Sequence, residues 1–157
     1  MAAATAARDA QRKGKDSGEQ LAYKVATVTA SRTTGKIWKG TLVMADTVAA
    51  SGINGLLKPA EAPVAAAVND RFMGVASQSV DNSTVASGTY KCLVEKEGTY
   101  TFVYGPGFAT DALIGSEVYA ADDSTVSNVS TNAVKVGAVQ EVIDANTVRV
   151  KIDNYVK

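Results

Sequence analysis

The chain has 157 residues, 16 basic and 16 acidic side chains that cancel, and no histidine. Its length suits one domain with a sizeable core, and the balanced charge gives no overall bias towards nucleic acid or a membrane. Without histidine, Ser-His-Asp and Cys-His triads are excluded, as is an imidazole pH switch. No apolar run approaches the roughly 20 residues of a membrane helix.

In chain order, residues 1–20 form a compositional unit apart. They contain no aromatic or branched apolar side chain, so they cannot build a core. An isolated helix over Ala2 to Lys13 would be marginal in water, and the expectation is a flexible N-terminal arm over 1–20. The start also lacks the basic segment and apolar block of a secretion signal. A cytosolic site of synthesis follows as the default, and the sequons at Asn82 and Asn128 then carry little meaning.

From Leu21 the composition shifts to short β-branched runs punctuated by Gly, Asn, Asp and Ser. Leu21 to Ala30 reads as a strand. Ile37 to Met44 reads as a strand interrupted at Gly40, where a bulge or close approach is the usual cause. Ala45 to Pro63 reads as loop, with Asn54-Gly55 as its turn, and Pro63 to Val68 fits either a helical turn or an extended segment. Phe72 to Val80 is a strand and Asp81-Asn82 a turn. Tyr90 to Tyr104 alternates on both sides of Lys96-Glu97-Gly98 and predicts a central hairpin with a Tyr/Phe face turned inward. Gly105-Pro106-Gly107-Phe108 predicts a loop with one exposed aromatic. Val118 to Ala121, Val134 to Val142 and Thr147 to Ile152 complete the strands. The fold class is all-β: a small β-barrel or β-sandwich over residues 21–157, preceded by the extended arm.

Few residues offer chemistry. No Walker loop or dinucleotide fingerprint occurs. The carboxylates Glu95, Glu97, Glu117, Asp122 and Asp123 read as turn acids and solvated strand positions. Asp122-Asp123 lacks the spacing of a calcium loop. Cys92 has no internal disulfide partner and reads as a small buried apolar residue. No cofactor, metal or catalytic residue is expected, and the chain reads as a non-enzyme. Arg8, Arg12, Lys13 and Lys15 form a basic cluster diluted by Asp9, Asp16 and Glu19, without the aromatics of a single-strand platform. Trp38 and Phe108 are the large aromatics best suited to a partner surface, an inward Trp38 being equally compatible with the pattern.

The ordered set Lys39 to Val43, Arg71 to Ala76 with Val80-Asp81-Asn82, Val94 to Gly98, Gly115 to Val118 and Val136 to Val139 resembles the capsid decoration, or cement, proteins of tailed bacteriophages. The likeness spans roughly Leu21 to Lys157. It implies a structural virion protein on the outer capsid surface, made in the host cytoplasm, that stabilises the head by bridging major capsid protein subunits. It also implies a homotrimer or contacts with neighbouring copies, and neither a nucleic-acid nor a membrane partner. On that reading the expected capsid-contact residues are Ala2, Ala6, Arg8, Arg12, Lys13, Lys15, Trp38 and Phe108. The alternative is a carbohydrate-binding or other adhesive β module displayed on a particle, stacking sugars on Trp38, Tyr23 or Phe108.

Overall fold

The computed structural model describes residues 20–27, 35–47, 55–62 and 70–153. In chain order its strands are β1 (Gln20–Lys24), β2 (Lys36–Ile37), β3 (Leu42–Ala45), β4 (Leu57–Pro59), β5 (Arg71–Ala76), β6 (Val80–Asp81), β7 (Lys91–Glu95), β8 (Gly98–Tyr104), β9 (Glu117–Ala120), β10 (Thr125–Ser127), β11 (Lys135–Asp144) and β12 (Thr147–Ile152). The fold is all-β, as expected, and it contains a closed barrel.

Residues before Gly98 build an antiparallel sheet ordered β1-β7-β5-β3-β4, with β2 and β6 as a separate two-stranded ribbon. Residues from Gly98 onward build the barrel, ordered β10-β8-β12-β11-β9. Its pairs are antiparallel except β8 with β10, which run parallel. Alternation along the sheet's strands gives it two apolar faces. Leu42, Met44 and Val75 join Tyr100, Phe102, Tyr104 and the barrel valines in one core. Val43, Ala76, Cys92 and Val94 pack on the other side with Val25, Ile37 and Leu57. The sheet is therefore a middle layer between the barrel and the segments carrying Val25 and Ile37.

The Tyr/Phe face turns inward as the alternation predicts, with Tyr100, Phe102 and Tyr104 buried. The central hairpin does not form. β7 pairs with β1 and β5, whereas β8 pairs with β12 and β10. A strand has two hydrogen-bonding edges, and both edges of each strand are taken elsewhere. Lys96-Glu97-Gly98 is thus a crossing from sheet to barrel rather than a reversal. It is fastened by the Tyr100 hydroxyl, which donates to the Glu97 carbonyl at 3.1 Å and also meets the Glu95 carboxylate. A Cβ on Gly98 would lie 3.0 Å from the Tyr100 ring, which explains the glycine at that corner. Period-2 alternation fixes which way a side chain faces but not which strand lies beside it.

Other boundaries move in the same way. The strand expected over Ile37 to Met44 divides at Gly40 into β2 and β3, which belong to different sheets. Phe72 to Val80 divides into β5 and β6. Ala45 to Pro63 is not all loop, because Leu57–Pro59 forms the edge strand β4, paired with β3. β10 is a further strand of three residues, absent from the expected set. Thr147–Ile152 matches its expected bounds. The arm over 1–20, apart from Gln20, and the segment Pro63 to Val68 lie outside the described residues, as does Asn54 of the Asn54-Gly55 turn.

Candidate interaction surface

Loops converge at the barrel end where β8, β10 and β11 finish and β9 and β12 begin. The segment after β8 is tied there by the Tyr104 and Ala109 backbone N–H groups, which donate to the carbonyls of Asn146 and Ala145, both at 2.8 Å. The Gly105 N–H donates to the Val126 carbonyl at 3.0 Å, and the Gly115 N–H to the Val139 carbonyl at 2.8 Å. This scaffold brings Phe108, Ile114, Val129 and Ile143 to one end of the barrel. Phe108 is 77% exposed, and the other three are each about half exposed. Exposed large apolar side chains at the strand ends on one side of a barrel make that end the candidate interaction surface.

Phe108 stands where the sequence places it, at the tip of a loop. Trp38 does not join it. Trp38 is half-buried just after β2, and the Lys36 ammonium sits 4.7 Å from its ring centroid. The Tyr23 ring likewise has Lys96 5.5 Å from its centroid. Of the three proposed stacking aromatics, Phe108 alone stands clear of the surface. Ala2, Ala6, Arg8, Arg12, Lys13 and Lys15 lie outside the described residues.

The carboxylates considered for chemistry are dispersed in structural roles. Asp122 Oδ1 accepts from the Ser124 N–H at 2.8 Å and from its hydroxyl at 3.0 Å, closing the turn between β9 and β10. Glu95 accepts from Gln20 Nε2 at 3.1 Å. Glu117 receives the Lys135 ammonium at 2.5 Å and the Tyr119 hydroxyl at 3.1 Å, which holds the Lys135 ammonium above its ordinary pKa. That ion pair borders an open cleft of about 540 Å³ between β9, β11 and Phe72. Cys92 is fully buried, and burial pushes its thiol up to about 11, as expected of a core residue rather than a nucleophile. Asn82, the first sequon residue, is buried too. Its amide donates to the carbonyls of Val25 at 3.2 Å and Ala86 at 3.3 Å, and its Oδ1 accepts from the Tyr90 N–H at 3.1 Å.

No family model, curated protein or solved structure matches the chain. What the surface can do is therefore argued from its residues. The barrel end offers apolar contact on a hydrogen-bonded frame, suited to a complementary protein surface. Ile114, Val129 and Ile143 carry no distinguishing signal in the sequence: Ile114 follows Leu113 and Ile143 follows Val142, both partly buried against the core, while Val129 stands among Ser and Asn.

Proposed function

We propose that the protein is a structural component of a bacteriophage head, docking on the outer capsid surface and bridging major capsid protein subunits. The observation that carries this reading is the exposed apolar barrel end around Phe108, whose loops are hydrogen-bonded to the barrel strands and their turns. The resemblance of five ordered segments to decoration proteins supports it. Two of those segments, Arg71 to Ala76 and Val136 to Val139, form β5 and part of β11, which contribute Val75, Val136 and Val139 to the larger core. The arm over residues 1–20 adds a basic cluster for acidic patches on the shell. Ordering a backbone costs about 1–2 kcal/mol per residue, so such an arm is held best where neighbouring copies bind together on a repeating lattice. Neighbouring copies, or a homotrimer, belong to the same proposal.

The decisive experiment mixes the purified protein with empty, undecorated heads and images them. Extra density at repeating sites, with raised resistance of the heads to heat, is the expected result; bare heads at saturating protein reject the reading. Deleting residues 2–18 tests the arm, which drops out of the mechanism if occupancy is unchanged.

A further inference from the structure

We infer that Lys58 and Asp70 form an intramolecular amide cross-link that ties edge strand β4 to the start of β5. The two residues lie on opposite sides of β3, in the sheet order β5-β3-β4. The Lys58 ammonium reaches across to Asp70 Oδ2 at 2.6 Å, with both side chains buried. Two further carboxylates surround the same nitrogen, Glu61 Oε2 at 3.3 Å and Asp46 Oδ2 at 3.6 Å. The β3–β5 register runs Met44↔Phe72 and Ala45↔Arg71, and its continuation sets Asp46 opposite Asp70.

This arrangement holds the parts of a condensation. A nucleophile and its target are fixed in contact by strands on either side of a third, which removes most of the entropic barrier to their union. The forms that react are the amine and the carboxylic acid, reached by moving one proton from Lys58 Nζ to Asp70 Oδ2 across their 2.6 Å contact. The Lys58 amine adds to the Asp70 carboxyl carbon, forming a C–N bond. The Thr47 backbone N–H, 3.2 Å from Asp70 Oδ1, stabilises the negative charge that develops on that oxygen. Glu61, or Asp46 behind it, accepts the proton leaving nitrogen and returns it to the departing oxygen. The C–O bond breaks and one water leaves. Amine plus carboxylic acid gives amide plus water, so no oxidant, metal or further reactant is required. The product replaces a buried ion pair by a neutral amide.

The cross-link is independent of whether the protein docks on a capsid, and its test is chemical. Trypsin does not cut at Lys58-Pro59, so residues 40–71 emerge as one peptide containing both partners. In the folded full-length protein, that peptide is expected to be lighter than its sequence mass by one water. A second cut after Glu61 distinguishes the cross-link from a cyclised aspartate: the two halves stay joined across Lys58 and Asp70 in the first case and separate in the second. Glu61→Gln is expected to fold and slow the closure at least tenfold, and Lys58→Arg to abolish it. Should Lys58→Arg fail to fold, the wild-type digest and Glu61→Gln still decide. Full sequence mass for the wild-type peptide after prolonged incubation of folded protein overturns the proposal, as does separation of the halves.

Discussion

Replacing Gly74 by alanine tests how tightly the middle sheet is built. Gly74 pairs with Val43 at an irregularity in the β3–β5 register, and its φ of +133 belongs to a region that side chains rarely adopt. A Cβ there would sit 2.2 Å from the Glu95 carbonyl oxygen and 2.8 Å from Val94 Cγ1. The first obstacle is backbone of the neighbouring strand β7, which is held between β1 and β5. Backbone strain contributes about 1–3 kcal/mol, and shifting a packed strand about 1–3 kcal/mol more. A loss of about 4 kcal/mol is a large share of the roughly 5–15 kcal/mol that holds a domain together. At roughly 2–4 °C per kcal/mol for a chain of this size, the melting temperature should fall by about 10 °C. Gly55→Ala is the control, since Gly55 also has a positive φ, +79, but nothing lies within 4 Å of its Cβ position; strain alone costs about 1–2 kcal/mol there. Thermal melts followed by circular dichroism compare the two variants. Equal shifts, or a Gly74→Ala shift below about 2 °C, would refute the close approach of β5 and β7.

Three other variants probe separate layers. Phe108→Ala should leave the melting temperature within about 2 °C of wild type, because its side chain makes little of the core, while lowering occupancy on undecorated heads; unchanged occupancy would remove the barrel end from docking. Lys58→Met removes the group that joins β4 to Asp70 and leaves Asp46, Glu61 and Asp70 around an apolar side chain, which should cost about 3–5 kcal/mol in urea denaturation; a neutral result would mean the acids are not held as described. Cys92 should resist a thiol reagent until the protein unfolds. Its thiol is raised from 9.0 in the reference state to about 11, so its contribution to stability is complete below pH 9 and fades as the pH climbs through about 11. Cys92→Ala should flatten that part of the stability curve, measured by urea midpoints across the alkaline range.

The parts of this fold legible in the sequence are those governed by facing. The inward aromatics of β8, the buried Cys92, the exposed Phe108 and the bounds of β12 all follow from local alternation and turn chemistry. Partner choice is a different kind of fact. The run from Tyr90 to Tyr104 satisfies every local criterion for a hairpin, yet its halves serve different sheets because other strands supply a better fit at their edges. Short strands such as Leu57–Pro59 and Thr125–Ser127 contain too few residues for a period to emerge. The cluster around Lys58 was invisible for a related reason: Asp46, Lys58, Glu61 and Asp70 follow no motif spacing and become neighbours only through the register of β3 with β4 and β5. The exposed apolar residues of the barrel end likewise come from two connections and the end of β11, far apart along the chain.

Because every barrel strand lies after residue 97, a ribosome making this protein releases the sheet first. Leu42, Met44 and Val75 then present bare hydrocarbon until the last strand, ending at Ile152, clears the exit tunnel and the lid they need can shut. During synthesis those three side chains are the part of the molecule most open to a chaperone or to clumping with sibling chains.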